Sequence, residues 1–555
     1  MKADRVALAA LLAALALWGL VFVERTSFFL EGGRHFVLFD DAMISMAYAR
    51  NVAAGEGPVW TPGSRPVEGF TTPLWTALMV PVHALPLPPR HLPLVVQLVS
   101  LVLLGLTVWR VRALLVAHFP GAGRGPWGWL PAGVLTAFHY SLAYWSLMGM
   151  ETALQALLAV LAVHLAYDVV FAGRDRHLAL FAVFAAAYLT RMDMTLLVVL
   201  VAGWVAVHGG FRRSAAPRWL AGAAMLAAVA GGYQLFRQLT FGAPLPNTYY
   251  LKLASVPLGL RLARGLVKAA GMLRENALPA VAVAAAVATG VRWRRRTGDE
   301  ARTPSRVLLP GLLVGAYLAY GVWVGGDAWE LPEVNVRVNR FLAPVLPLAL
   351  VAVNDLINRL ATRAGAPRAV RRGLAPAATV ALLLLGNGLV VSSLRAENWG
   401  KVLLVERPPF VGSHAHVLSR LRRLEQLVAP GARVVTVWAG IPAYFSRYEL
   451  IDAAGYNDPV AARRPPAANL SWRHWVPGHD KVDATDLLAR RPDAFFQGWM
   501  LDALPVPEPR RHVDEELGYQ AVEEFWLRRD SPYLLPGALD PPPLRSDTME
   551  TKPMF

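Results

Sequence analysis

The sequence predicts an α-helical polytopic membrane protein of about eleven transmembrane helices with a soluble α/β domain at its C-terminal end. Three observations carry that prediction. Hydrophobic residues fill 55% of the 555 positions and charged residues 17%, with mean hydropathy +0.38. That balance suits a polytopic membrane protein better than a soluble enzyme. Arginines cluster between apolar runs, as cytoplasmic loops do under the positive-inside rule. After about Ser393 the apolar runs shorten while prolines and charges multiply. Residues 1–393 are therefore read as the membrane domain and 394–555 as a noncytoplasmic α/β domain.

Composition also excludes some chemistry. The chain contains no cysteine, which removes disulfides, thiolate metal sites and cysteine nucleophiles. The net charge of +16 is assigned to membrane topology, so nucleic acid is not expected as a partner; the lipid bilayer is.

In chain order, Val6 to Val23 is read as a signal anchor, with Lys2 and Arg5 holding the N-terminus in the cytoplasm. A polar-to-mixed segment follows to about His91. Within it, Asp40-Asp41 opens a helix that ends near Gly55-Glu56-Gly57, where glycine favours a stop. Asp40 is expected as N-cap and Asp41 in the first turn, where the helix dipole favours negative charge. Helical spacing places Asp41, Ser45 and Tyr48 near one face. Thr71 to Leu85 is apolar but broken by prolines, and reads as a re-entrant or membrane-lying piece, with a short span as the alternative. Further spans are expected at 93–116, 129–147, 152–170, 177–190, 194–209, 217–236, 275–291, 306–324, 340–358 and 373–393.

With eleven spans and the N-terminus inside, the cytoplasmic side receives Arg174, Arg176, Arg212, Arg213, Arg218, Arg292, Arg294, Arg295, Arg296, Arg359, Arg363, Arg368, Arg371 and Arg372, with Arg110, Arg112 and Arg124 inside or at that edge. The opposite side then carries Asp40-Asp41, Glu151, Arg191-Met192-Asp193, the segment 237–274 and Asp327. In the tail, Arg433–Trp438, Tyr448–Asp452 and Asp493–Phe496 read as strands and His416–Val428 as a helix. The stretch from Pro541 onward is expected to be disordered.

The polar motifs on the noncytoplasmic side are the candidates for chemistry. Glu68, in a Pro- and Gly-marked loop, is a third carboxylate for the Asp40-Asp41 region, or an ordinary loop residue. Glu151 either meets substrate or sits in a first helical turn. Arg191 and Asp193 either meet substrate or pair with each other, because charge near a membrane is costly. Asn247, Tyr249 and Lys252 lie in the next outer loop. Lys252 there is a point charge for a lipid phosphate, and interfacial anchoring is the rival account. Asp327 is a turn residue or a sugar contact, and Arg340 a phosphate clamp. His479 could serve a metal or proton transfer, but no partner histidine has metal-like spacing; loop structure or acceptor contact is preferred.

Taken in order, these motifs resemble a known family. Asp40-Asp41-Ala42-Met43-Ile44-Ser45 to Arg50-Asn51, the Gly57-Pro58-Val59 and Glu68-Gly69 loop, Gly149-Met150-Glu151 and Thr190-Arg191 come first. Leu245-Pro246-Asn247-Thr248 with Lys252, Gly325-Gly326-Asp327, Gly455-Tyr456-Asn457-Asp458-Pro459 and Gly478-His479-Asp480-Lys481 follow. The set looks like the terminal β-(1→2) arabinofuranosyltransferases of actinobacterial cell walls, and covers most of the chain. Met192 departs from the proline usual after the arginine, and the segment between Asp327 and Arg340 is longer and more polar than the pattern.

The resemblance implies a GT-C type membrane glycosyltransferase in a bacterial plasma membrane, with its C-terminal domain extracytoplasmic. It would move a sugar, arabinofuranose by the resemblance, from a polyprenyl-phosphate donor to a cell-envelope glycan hydroxyl. Asp40 and Asp41 match the family's catalytic pair. Lys252, Arg340 and Arg50 are expected at the donor phosphate. Glu68, Glu151, Arg191, Asp193, Asn247, Tyr249, Asp327 and His479 are expected toward sugar or acceptor. Two aspartates could also ligate Mg²⁺ or Mn²⁺, though no full oxygen-ligand set is evident. The rival readings are a transporter or flippase of lipid-linked saccharides and a noncatalytic glycan-binding scaffold.

Overall fold

The computed structural model describes residues 2–119, 125–210, 215–294, 306–330, 338–361, 368–390, 395–466 and 470–541. Of the arginines used above for orientation, Arg124, Arg212, Arg213, Arg295, Arg296 and Arg363 lie outside these, as does the tail after Pro541. The chain forms two compact units, each assembled from separate segments.

The first unit comprises Met1–Arg25, Gln97–Gln234 and Leu258–Pro408. Among the described residues five helices are long and apolar enough to cross a membrane: Lys2–Thr26, Pro89–His118, Thr152–Val170, Ala216–Phe241 and Ala343–Ala361. Shorter apolar helices include His177–Thr190, Leu278–Val291 and Leu308–Val324. This is the make-up of a multi-pass membrane protein.

The expected single span at 129–147 is two helices, Leu130–Phe138 and Tyr140–Leu147. Asn387 stabilises the break: its Oδ1 accepts from the Tyr140 amide at 2.7 Å and its Nδ2 donates to the Phe138 carbonyl at 3.0 Å. An apolar run gives no sign of a partner so distant in sequence. A second difference is Leu258–Glu275, an amphipathic helix where an outer loop was expected. Its arginines and lysine depress local hydropathy, but leucines at helical spacing were the readable signal.

The second unit comprises Thr26–Val96, Leu235–Pro257 and Pro409–Phe555. Its first segment carries the hairpin β1 (Phe28–Leu30) and β2 (Gly33–His35), then the helix Asp40–Ala53. Thr71–Leu85 contains the helix Pro73–Met79 and a 3₁₀ turn Val80–Ala84, both too short to span. The tail helix runs Val411–Glu425. The tail strands are β3 (Arg433–Thr436), β4 (Glu449–Asp452), β5 (Ala494–Phe495), β6 (Tyr519–Val522) and β7 (Phe525–Arg528).

They form one mixed sheet in the order β4-β3-β5-β7-β6. β3 pairs in parallel with β4, Val434 opposite Leu450, and with β5, Val434 opposite Ala494; β7 runs antiparallel to β5 and β6. Val435, Ile451, Phe495, Leu487, Val513 and Trp526 share one buried core with Tyr519. The carboxyl ends of β3 and β4 lead into Ala439–Pro442 and Asp452–Pro459. Such ends are where open α/β sheets place ligands.

Candidate active site

Asp40 is the first residue of its helix and Phe39 the N-cap, so the expected capping role is corrected. The reason is a stronger competitor. Both Asp40 carboxylate oxygens accept from the Gly440 amide at 3.1 Å, and Oδ1 accepts from the Ile441 amide at 2.8 Å. Asp40 is buried, and burial pushes its pKa up to about 7. The Ile441 and Gly440 amides oppose that rise, and the neighbouring Asp41 charge adds to it. The first turn of the Asp40 helix is thus locked onto the loop that follows β3.

Two turns on, the same helix makes a second attachment. Tyr48 hydroxyl lies 2.6 Å from the Val67 carbonyl and 2.9 Å from Asn457 Oδ1, and accepts from the Gly69 amide at 3.2 Å. Asn457 is held in turn by Asp452, whose carboxylate accepts from the Asn457 amide at 2.7 Å, the Asn457 side chain at 3.0 Å and the Gly455 amide at 3.0 Å. Burial raises the Asp452 pKa to about 6 despite these donors. Further along, the Arg50 guanidinium donates to the Tyr444 carbonyl at 2.5 Å and to Asn51 Oδ1 at 3.0–3.1 Å. Arg50 stands ten residues, or about 15 Å of helix rise, from Asp40. One phosphate cannot meet both ends.

Asp41, unlike Asp40, is only partly buried. Its charge acts on His479, which also feels the Lys252 ammonium. The His479 ring has protein close around it while the residue keeps accessible surface. Burial first and Lys252 second hold its pKa below the usual histidine value. Its Nδ1 lies 3.3 Å from the Pro477 carbonyl, which makes Nδ1 the N–H and leaves Nε2 the lone pair in the neutral ring. The Lys252 ammonium sits 4.8 Å from the centre of the Tyr456 ring, a cation–π distance. Gly478, at φ +85°, permits this approach: a Cβ there would lie 2.9 Å from Lys252 Cε.

Other candidates in this unit are bound internally. Glu68 forms a fork with Arg237, 2.6 Å from Nε and 3.2 Å from the terminal nitrogen, both side chains almost fully buried. Asn247 Nδ2 donates to the Gly455 and Tyr456 carbonyls, each at 2.9 Å. Tyr249 is 36% exposed and packs edge-on against Tyr250. Lys481 donates to the Tyr250 carbonyl, Ser255 and the Ala462 carbonyl at 2.6–3.1 Å.

The first unit holds its own polar cluster. Arg191 bridges Glu151 and Asp193, each at 2.8 Å. The Arg191–Asp193 pairing weighed from sequence is therefore present. Arg340 Nε lies 3.1 Å from Asp327 Oδ2 with both side chains buried. Arg264 donates to the Gly325 and Asp327 carbonyls, and Glu330 accepts from the Asp327 amide at 2.6 Å and Asn339 at 3.0 Å.

Arg237, Asp452, Arg264 and Glu330 were absent from the expected set. Asp452 carried a signal, since it closes a strand and opens a glycine turn. Arg237 sits at the end of an apolar run and reads as a span boundary. A divalent cation at Asp40-Asp41 is not supported. Three amide contacts occupy the Asp40 carboxylate, and among the described residues the metal-ligating grouping of histidines and carboxylates lies elsewhere.

Comparison with known proteins locates the fold. Residues 413–538 match a family described as a domain of unknown function, DUF8728. No curated protein matches the sequence. ArnT from Cupriavidus metallidurans in the apo state superposes with a TM-score of 0.51 at 15% identity, covering 94% of this chain and 96% of that one. The same protein bound to undecaprenyl phosphate gives 0.53 at 13% identity, covering 95% and 98%. The fold is ArnT-like. The likeness runs over nearly the whole of both chains.

Proposed function

We propose that this chain is a membrane glycosyltransferase that takes a sugar from a polyprenyl-phosphate donor at the noncytoplasmic face of a bacterial plasma membrane. The observation that supports it best is the partly accessible Asp41–His479–Lys252 cluster beside a buried, amide-locked Asp40. The undecaprenyl phosphate bound by the ArnT neighbour fits an ammonium poised for a lipid phosphate.

In this reading the acceptor hydroxyl oxygen bonds to the anomeric carbon. The bond from that carbon to the phosphate oxygen breaks, and the phosphate leaves with the electron pair. Asp41 accepts the hydroxyl proton, with neutral His479 beside it. Lys252 neutralises the leaving phosphate. Asp40 fixes the start of the helix and thereby aims Asp41. Arg50, Glu68, Asn247, Glu151, Arg191, Asp193, Asp327 and Arg340 are assigned to holding the fold, where hydrogen bonds or ion pairs to neighbouring residues engage them. Arabinofuranose as sugar and a cell-envelope arabinan as acceptor rest on the family resemblance.

The test is transfer from a synthetic polyprenyl-phosphoarabinose to an arabinan oligosaccharide by purified protein, beside Asp41→Asn. Transfer that vanishes in the folded variant supports the assignment. Transfer that survives moves the base elsewhere. If the native protein is inert with arabinose, a panel of lipid-phosphate sugars follows; a wholly inert panel with positive lipid flipping establishes the transporter reading.

A further inference from the structure

We infer that His118, His164 and Asp168 form a binding site for a zinc-class divalent transition metal that ties two membrane helices together. His118 ends the helix Leu92–His118, while His164 and Asp168 lie on Thr152–Val170. The latter two are four residues apart and so share a helix face, the spacing by which helices present paired metal ligands. One ligand atom from each of the three side chains lies within 4.8 Å of the other two. Modest side-chain rotation brings such a set to the metal–ligand lengths of about 2.0–2.2 Å typical of zinc sites.

The details of the site favour a metal over an ordinary ion pair. His164 Nδ1 is buried without a hydrogen-bond partner, a costly state unless something occupies it. His118 Nε2 already lies 3.2 Å from Asp168 Oδ1, where a metal would replace the shared proton. The His118 ring is fixed edge-on between His164 at 5.3 Å and Tyr167 at 5.7 Å.

Arg174 lies 3.0 Å from Asp168 Oδ1 and Arg176 3.7 Å from Oδ2. Both guanidiniums are more than half exposed, so their repulsion of a cation is screened. Arg174 can swing away, while Arg176 keeps the distal oxygen and orients the ligating carboxylate. Arg110 and Arg306 also act on these histidines and set a limit on affinity.

Two imidazoles and one carboxylate select zinc-class metals over Mg²⁺ or Ca²⁺. The three donors leave a fourth position for water. Asp168 is 17 residues from Glu151, about 25 Å along the helix. The site is therefore remote from the Glu151–Arg191 cluster, and its role is to staple two helices.

The test uses the full chain purified without a histidine tag and titrated with Co²⁺. With no cysteine in the sequence, ligand-field absorption reports nitrogen and oxygen donors alone. The expected result is saturation at one equivalent per chain. His118→Ala and His164→Ala should each weaken binding at least tenfold, and Zn²⁺ should raise the melting temperature of the native chain only. X-ray absorption of the zinc-loaded native protein should count two imidazoles, which decides the matter even where a variant fails to fold. Absent stoichiometric binding, binding unchanged in both histidine variants, or a shell with fewer than two imidazoles overturns the site.

Discussion

Gly440 has no room for a side chain against Asp40. A Cβ at Gly440 would stand 1.9 Å from the Asp40 carbonyl oxygen and 2.8 Å from the Met43 Cβ. Both obstacles belong to a helix, so neither can step aside alone. Gly440→Ala should therefore separate the Asp40 helix from the loop after β3 and weaken the amide grip on the carboxylate. The expected cost is about 1–3 kcal/mol, the range for forced overpacking. Thermal unfolding in detergent measures it, and an unchanged melting temperature would contradict the contact.

Asp40 also predicts a pH dependence. Its folded pKa, about 7, lies above the ordinary carboxyl value near 3.9. Between those values the folded state binds the proton more tightly, so stability falls as pH rises. The contribution is complete below about pH 4 and lost as pH passes 7. Asp452, raised to about 6, acts in the same direction. Asp40→Asn should flatten the decline in melting temperature between pH 5 and 8 without abolishing it. An unaltered slope would show that Asp40 does not titrate there.

Strands β3, β4 and β5 were legible because each is a short apolar run of aliphatic or aromatic residues bounded by turn residues, whereas β6 and β7 were not among the expected strands. Val434-Val435, Leu450-Ile451 and Phe495-Phe496 signalled their strands to within two residues at each end. The Asp40-Asp41 pair was visible because paired charge is rare beside an apolar run. What the pair touches was not visible. Gly440 is 400 residues from Asp40 and Asn457 is 409 from Tyr48, and no local pattern couples positions so far apart. The same distance hid Arg237 as the partner of Glu68. The kink at His139 was hidden too, because Asn387, which satisfies the broken backbone, lies about 250 residues away in the turn after the helix Arg368–Gly386.

Glu68 and Arg237 offer a test of burial energetics. Both side chains are within 2% of complete burial and meet at two points. Removing one partner leaves a charge without compensation, which costs about 3–5 kcal/mol. Glu68→Gln should lower stability by that order, and so should Arg237→Met. The double variant should lose less than the sum, since no orphan charge remains. A double-mutant cycle on denaturant midpoints gives the coupling. Strict additivity would mean the pair is not formed.

Lys252 separates a catalytic cation from a structural one. Its ammonium rests on the Tyr456 ring and acts on His479, contacts worth about 0.5–2 kcal/mol. If it neutralises the departing phosphate, Lys252→Met should lower kcat/KM for the lipid-phosphate donor by about 10²–10³, the range for loss of one preorganised charge contact. Lys252→Arg should restore part of that rate, because the charge returns with altered geometry. Loss of the Lys252 charge also relieves the repulsion that holds the His479 pKa down. The acid limb of the pH–rate profile should then move to higher pH in Lys252→Met and stay near its native position in Lys252→Arg. A structural lysine predicts the reverse pattern: a lower melting temperature, activity that follows folded fraction, and an unmoved acid limb.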